Sequence, residues 1–221
     1  AFFNVQIVEG CPQLCSYCPY PRFGIQPPRT GKIGEMPLAS FESILDQVKG
    51  FCEDAVISVS LWGESAYHSR FAELALAVLR RGLRLIVETS GLGWPEGVFQ
   101  TILRGAPASS AIEWVVSLDA GTEATYARLR GEGFAEATKT AETLHRLFPG
   151  RAYVQAVRMR DNEEEMEAFY RHWKKATGKL IVQKYDPFCG FLPDRRVTDL
   201  SPLKRFPCWH LKRDLSILLD G

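Results

Sequence analysis

Three cysteines lie within eight residues near the start of the chain, at Cys11, Cys15 and Cys18. Their spacing is C-x3-C-x2-C, and an aromatic residue, Tyr17, stands directly before the last of them. Cysteine thiolates are the ligands of iron–sulfur clusters, and three on one short loop can bind three irons of a [4Fe–4S] cluster. The fourth iron then has no protein ligand, and an open position is where a metal site does chemistry, as in catalytic zinc sites. The loop therefore predicts a cluster with one reactive iron.

The rest of the chain alternates between strand-like and helix-like patterns. Apolar runs rich in Val, Ile and Leu occur near residues 2–9, 55–61, 83–89, 112–118, 151–158 and 179–185. Amphipathic stretches separate them. The first starts at an N-cap candidate, Ser40, and the second ends at Gly82; a weaker one covers 95–104, and another covers 137–148 and is closed by Gly150. The last follows Asn162 and Glu165, which resemble a capping box. This alternation predicts an α/β fold with a parallel sheet, either a partial barrel or a doubly wound sheet. In both, functional groups gather at the carboxyl ends of the strands, which is where the cysteine loop follows the first strand.

The segment Cys11-x3-Cys15-x-Tyr17-Cys18 resembles the signature of the radical S-adenosylmethionine (SAM) superfamily. The resemblance implies that the three cysteines hold a [4Fe–4S] cluster and that SAM binds the open iron through its amino and carboxylate groups. Cleavage of SAM then yields a 5′-deoxyadenosyl radical that abstracts hydrogen from a substrate. The resemblance also implies a partial (β/α)6 TIM-like barrel, assigned to residues 1–186, and an electron donor such as flavodoxin or ferredoxin.

Two strand ends carry further resemblances to this family. Gly63 and Glu64 resemble its Gly-Gly-Glu segment, which implies contact with the ammonium group of SAM, although Trp62 replaces the first glycine. Ser90 stands where the family's Thr-Asn-Gly turn has asparagine. That turn either makes a polar contact to SAM or is simply the turn that ends the strand.

The fourth strand ends in a Ser-Leu-Asp segment, and an Arg-Gly pair follows it, as in family members that modify peptides and proteins. The resemblance implies that Ser117 and Arg130 help to hold the SAM carboxylate, with the guanidinium as a charge-assisted donor. Asp119 contacts SAM or shapes the site, and Tyr17 is assigned to the same cofactor site. For Arg130 the alternative is a surface ion pair.

Residues 187–221 are predicted to form an irregular C-terminal tail. The spacing from Cys208 to Gly221, with twelve residues between them, resembles the opening of a SPASM extension. This resemblance implies that Cys208 is a ligand of an auxiliary iron–sulfur cluster whose other ligands lie outside this chain. Cys189 is interpreted first as a buried loop cysteine, and the alternatives are that it approaches the active site or an auxiliary cluster. Because the chain starts without Met in an apolar run and stops at a turn dipeptide, we expect it to be part of a longer protein.

The composition of the chain argues against some classes of function and leaves others open. The net charge is +1 with no basic stripe, so a nucleic-acid partner is not expected. No apolar run approaches the ~20 residues of a membrane helix, and the cysteine spacing argues against disulfides, so we expect a reducing cytoplasm. The main hypothesis is a radical SAM enzyme core acting on a peptide or protein. Two alternatives stay open: a radical SAM enzyme acting on tRNA or a small molecule, and a non-catalytic metal-binding module, although zinc would need a fourth ligand and the closest histidine is His68.

Overall fold

A computed structural model describes residues 1–20, 34–107, 111–198, 204 and 206–221. Its described strands form one parallel sheet in the order β6-β5-β4-β3-β2-β1-β7. The strands are β1 (Phe2–Val5), β2 (Val56–Ser58), β3 (Arg84–Thr89), β4 (Ala111–Ser117), β5 (Ala152–Arg158), β6 (Leu180–Lys184) and β7 (Asp214–Ile217). The predicted α/β class with a parallel sheet is thus confirmed.

Helices connect successive strands of this sheet. They are α1 (Leu38–Phe51), α2 (Phe71–Arg80), α3 (Val98–Gly105), α4 (Glu123–Arg130), α5 (Phe134–Leu147), α6 (Glu163–Thr177) and α7 (His210–Arg213). None of the helices in the described part of the chain is long and apolar enough to cross a membrane.

The core lies where these helices cover the sheet. Trp114 of β4 is fully buried, and its ring centroid lies 5.2 Å from that of Phe99, 5.6 Å from Phe148 and 6.1 Å from Phe71. Aromatic pairs in this range add to the stability that their buried area already gives. Because the three partners belong to α3, α2 and the end of α5, this cluster fixes three helices against one strand.

The seventh strand corrects the prediction of an irregular tail. Residues 214–217 pair in parallel with Phe2–Val5, in the register Phe3 to Leu215. The pairing continues beyond the strand, because Gln6 N donates to Ile217 O at 2.9 Å. The open edge of β1 presents backbone donors and acceptors that need partners, and this short segment supplies them. Part of the predicted tail, residues 199–203 and 205, lies outside the described residues.

Several predicted local features differ in the structure. Helix α1 begins at Leu38 with Pro37 at the N-cap, so Ser40 is not its cap. Asn162 does occupy the N-cap position of α6 but makes no side-chain capping bond. Its amide binds other backbone groups instead, since Nδ2 donates to Asp119 O at 2.7 Å and Oδ1 accepts from Met159 N at 2.9 Å. The helix α4 was not predicted, and it turns out to position the candidate site.

Candidate cluster- and cofactor-binding site

A cavity of about 310 Å³ opens at the carboxyl ends of the strands. This volume falls in the range of small-molecule sites. The parallel sheet brings together most of the predicted site residues there: Cys11, Cys15, Tyr17, Cys18, Gly63, Glu64, Ser90, Ser117 and Arg130 all line the cavity. They come from the ends of β1, β2, β3 and β4 and from the last turn of α4. The structure therefore gathers residues that are more than one hundred positions apart in the sequence.

The cysteine loop is held by backbone hydrogen bonds to the end of α4. Ser16 N donates to Leu129 O at 2.8 Å, and Leu14 N donates to Arg130 O at 3.3 Å. The last carbonyl groups of a helix have no partner within the helix, so the loop satisfies acceptors that α4 leaves open. Cys18 N also donates to Cys15 O at 3.0 Å, which closes a turn between these two cysteines.

The three thiols are partly buried and electrostatically coupled. Burial raises the pKa of Cys11 to about 12 and that of Cys15 to about 11, and it also raises the pKa of Cys18. The Arg130 guanidinium acts in the opposite direction on all three. Metal ligation requires thiolates, and backbone hydrogen bonds, from Gln13 to Cys11 and from Tyr20 to Cys18, act with this cation in favouring the ligating form.

Arg130 is itself paired in the interior. Its side chain is 7% exposed, and Nη1 contacts the fully buried carboxylate of Asp119 and donates to Tyr17 OH at 2.5 Å. The Tyr17 hydroxyl also donates to Asp119. Burial alone would lower the pKa of Arg130, but Cys15, Tyr17 and Asp119 hold it above its usual range. The surface ion pair considered for Arg130 is therefore ruled out by its burial.

Glycine at position 63 is required by close packing. A Cβ atom built there would lie 2.2 Å from Val8 O, which is inside the van der Waals distance of any real contact. This approach seats the segment after β2 directly against the segment after β1. Glu64 N donates to Gly10 O at 2.9 Å, so the two segments are joined immediately before Cys11.

The carboxylate of Glu64 is buried in the wall of the cavity. Thr89 Oγ1 donates to its Oε1 at 2.5 Å, and Ser90 N donates to its Oε2 at 2.7 Å. Burial raises the pKa of Glu64, and the bonds from Ser90 and Thr89 oppose that rise. The result is a carboxylate that lines the cavity, fixed in place by the end of β3.

Other polar residues line the cavity beyond those assigned to the cofactor site. Glu88 on β3 lines it, and desolvation by the walls of this concave site raises the pKa of its carboxyl group, against a hydrogen bond from Gln155. Gln155 Nε2 also lies 3.3 Å from Ser117 Oγ. Ser60, Gln183 and Lys184 also line the cavity. Nothing local in the sequence marks one strand residue as facing a cavity.

Two predicted residues lie elsewhere. Asp119 is not among the described residues that line the cavity; it sits behind Tyr17 and Arg130, with φ of +62° and Oδ1 accepting from Val157 N at 2.6 Å. Cys208 is exposed in the C-terminal segment and is also absent from the described lining. Cys189, interpreted as buried, is exposed as well.

The donor set fits the group that the motif implies. Three thiols on one loop line the cavity together with a buried carboxylate and a guanidinium, which match a metal cluster and a zwitterionic ligand in chemistry. Within the described residues, no three His, Cys, Asp or Glu side chains are arranged around one metal ion.

Comparison with known proteins identifies the family. The sequence profile described as the radical SAM superfamily matches residues 5–172. The chain belongs to the radical SAM superfamily. The predicted family membership is confirmed, and the family implies a [4Fe–4S] cluster and SAM as cofactors.

A relative from Treponema pallidum, described as an uncharacterized protein, is 38% identical over 233 residues. The match covers all of this chain and 64% of that protein, so the chain spans less than two thirds of this relative's length.

Solved structures share the radical SAM fold. Streptococcus suis SuiB bound to S-adenosylmethionine matches with a TM-score of 0.70 and 17% identity, over 90% of this chain and 44% of that one. The protein anSMEcpe with bound AdoMet matches with a TM-score of 0.68 and 16% identity, over 91% and 56%. Methylornithine synthase (PylB) matches with a TM-score of 0.60, 16% identity and 90% and 59% coverage. At these identities the likeness shows the fold alone, and it confirms the predicted partial barrel.

Proposed function

We propose that this chain binds a [4Fe–4S] cluster and SAM and forms the radical-generating part of an enzyme that acts on a peptide or protein. The single observation that supports this most is the convergence of three thiols, Glu64, Ser117 and Arg130 on one cavity. When bound, the cluster supplies the electron that cleaves SAM and yields a 5′-deoxyadenosyl radical. Electrons would come from a donor such as flavodoxin or ferredoxin.

The chain's own residues bind, orient and shield the cluster and SAM. We assign Cys11, Cys15 and Cys18 to the cluster and the carboxylate of Glu64, on the Gly63 turn, to the SAM ammonium. Ser117 and Arg130 are assigned to the SAM carboxylate and Ser90 and Tyr17 to the pocket wall, whereas Asp119 acts from behind by holding Arg130. The protein thus contributes positioning and electrostatics, as expected where a cofactor carries the reaction.

The substrate class rests on three observations. SuiB, whose fold is shared at a TM-score of 0.69, was also solved with its precursor peptide SuiA. The segment from Ser117 to Arg130 resembles that of peptide- and protein-modifying members of the family. The wall formed by Gln155, Gln183 and Lys184 offers amide and charged groups to a polar substrate.

The test of the cofactor assignment is anaerobic reconstitution with iron and sulfide, followed by SAM and dithionite. We expect about four irons and four sulfides per chain, which is the content of a [4Fe–4S] cluster, and 5′-deoxyadenosine detected by mass spectrometry. Cys15→Ala should abolish both, whereas Cys52→Ala, at the end of α1, should leave both unchanged. A Cys15→Ala chain that still made 5′-deoxyadenosine, or a wild-type chain holding one zinc and no sulfide, would contradict the assignment.

The substrate class is tested separately. Fractions of an extract of the source cells are added to the reconstituted protein, and the rate of 5′-deoxyadenosine formation is measured before and after protease treatment of each fraction. We expect a stimulation that protease removes. Stimulation that survives protease and passes an ultrafiltration membrane would favour a small-molecule substrate, and stimulation removed by ribonuclease would favour tRNA.

A further inference from the structure

Gln13 lies in the cysteine loop with an unusual pattern of burial. Its side chain is 5% exposed, whereas its neighbours Pro12 and Leu14 are exposed. Polar side chains are mostly on the surface, and a buried one is the informative case. The loop therefore turns its amide inwards and its apolar residues outwards, which is the reverse of what hydrophobic burial alone would give.

Both ends of the buried amide are hydrogen-bonded to α4. Gln13 Nε2 donates to Tyr126 OH at 2.8 Å, and Gln13 Oε1 accepts from Arg130 Nε at 2.8 Å. The same oxygen lies 3.7 Å from Cys15 Sγ. One side chain thus connects the loop, one ligand cysteine and the helix.

The guanidinium of Arg130 is held from two sides by this loop. Gln13 binds its Nε, and Tyr17 binds its Nη1, which also contacts Asp119. Nη2 takes no part in these bonds, while Arg130 as a whole lines the cavity. Gln13 therefore fixes the rotation of the guanidinium as well as the path of the loop.

We propose that Gln13 is a positioning residue that locks the three-cysteine loop and the Arg130 guanidinium into one arrangement, so that cluster retention and SAM binding both depend on it. This rests on the proposed function, because it assumes that the loop holds a cluster. Residues that orient metal ligands from behind typically matter 10–100-fold in metal affinity. A buried guanidinium that lost its Nε acceptor would also have to move or stay unpaired.

Three variants distinguish a positioning role of Gln13 from an effect on the overall stability of the protein. Gln13→Leu removes both hydrogen bonds, whereas Gln13→Glu keeps an acceptor for Arg130 and for the hydroxyl of Tyr126. Tyr126→Phe removes only the hydrogen bond between Gln13 Nε2 and the Tyr126 hydroxyl, and it replaces Gln13→Leu as the test variant if Gln13→Leu does not fold. Gln47→Leu makes the same chemical change on the exposed side of α1 and is the matched control.

The wild-type and variant chains are reconstituted, and three quantities are measured: the rate of cluster loss to a chelator, the Kd for SAM, and the SAM-induced change in the EPR spectrum of the reduced cluster. For Gln13→Leu we expect cluster loss and SAM dissociation constants roughly 10–100-fold above wild type. Tyr126→Phe should fall between, and Gln13→Glu should lose less than Gln13→Leu, because it keeps the acceptor for Arg130, but it should not reach wild type, because its charge lies beside Cys15. Gln47→Leu should match the wild-type chain.

Unchanged cluster loss and an unchanged SAM-induced EPR shift in Gln13→Leu, or in Tyr126→Phe if the former does not fold, would overturn the proposal. A lowered melting temperature of the apoprotein without either change would show a merely structural role and would overturn it too. A wild-type chain that takes up no iron and sulfide would instead refute the proposed function, and this inference with it.

Discussion

Two parts of the molecule carry cysteines beside aromatic residues, and they are held by different interactions. The cysteine loop, residues 11–18, is tied to α4 by backbone bonds and by a buried network around Arg130. The C-terminal segment, residues 206–221, is attached by β7 to one edge of the sheet, and Phe206, Trp209 and Leu211 are 79%, 65% and 81% exposed. The comparison separates a cysteine motif built into the interior from one presented on the outside.

The difference lies in what each region would lose by rearranging. Moving the cysteine loop would remove the hydrogen bonds that Gln13 and Tyr17 make to the buried Asp119–Arg130 pair, and buried polar groups that lose their partners are costly. Moving residues 206–211 would expose little, because their side chains are already in solvent. A rigid support suits the assembly of a reactive cofactor, so the loop is the region on which function should depend most.

The largest effect on the difference between these two regions is expected from Arg130→Leu. It leaves Asp119 buried without its cation, and we expect the free energy of unfolding of the apoprotein to fall by about 3–5 kcal/mol, measured by urea denaturation. The matched control is Arg158→Leu, which removes an exposed pair with Glu163 and should cost at most about 1 kcal/mol.

A second variant tests the physical reason for the Arg130 effect. Adding Asp119→Asn to Arg130→Leu should recover part of the lost stability, because no unpaired charge remains and the amide Oδ1 can still accept from Val157 N. Equal losses in Arg130→Leu and Arg158→Leu would show that the interior network stabilises no more than a surface pair.

The next largest effect is expected from Gly63→Ala. The added Cβ would overlap Val8 O, so the segments after β1 and β2 must separate, at about 1–3 kcal/mol of unfolding free energy. Gly50→Ala near the end of α1 is the control, because its Cβ meets nothing within 4 Å and alanine favours a helix by up to about 1 kcal/mol. If both variants unfolded at the same urea concentration, the close approach at Gly63 would not be essential.

Parts of this site could be predicted because their signals are local. The cysteine spacing, the Gly63-Glu64 pair and the strand-end position of Ser117 each occupy a few consecutive residues, and parallel strands bring such ends to one edge. Gln13 gave no such signal, because its partners Tyr126 and Arg130 lie 113 and 117 positions away. Only the folded chain shows that the amide points inwards.

The same limit explains the errors in the fold. Strand β7 has only four residues and follows one helical turn, so its pattern is too short to distinguish from a loop. Asn162 and Glu165 matched a capping box, but Glu165 instead accepts from Gly121 N at 2.9 Å and from Thr122 Oγ1 at 2.7 Å, beside the start of α4. A tertiary partner outcompeted the local one in that case.

A smaller effect, of opposite sign, is expected from Glu64→Gln. Burial raises the pKa of Glu64 above 4.5, so the folded chain holds this proton to higher pH than the unfolded chain. Its contribution to stability is therefore present below pH 4.5 and is lost as pH rises through the folded-state pKa. Near pH 7 the glutamine variant should be as stable as the wild-type chain or slightly more stable.

The cofactor should respond to Glu64→Gln in the other direction. SAM binding should weaken by roughly 10-fold or more, because a charge-assisted hydrogen bond to an ammonium is lost. Urea denaturation between pH 4 and 8 and equilibrium dialysis with SAM measure the two effects. Lower stability at pH 7 together with unchanged SAM binding would mean that the carboxylate is structural.

The smallest effect is expected in the C-terminal segment, from Cys208→Ser. The resemblance to a SPASM extension assigns this cysteine to an auxiliary cluster, but it is exposed and does not line the cavity among the described residues. Its iron content after reconstitution, its SAM Kd and its unfolding curve should all match those of the wild-type chain. A loss of iron in Cys208→Ser would mean that this thiol binds metal in the present chain, and that the exterior segment contributes to the site as the cysteine loop does.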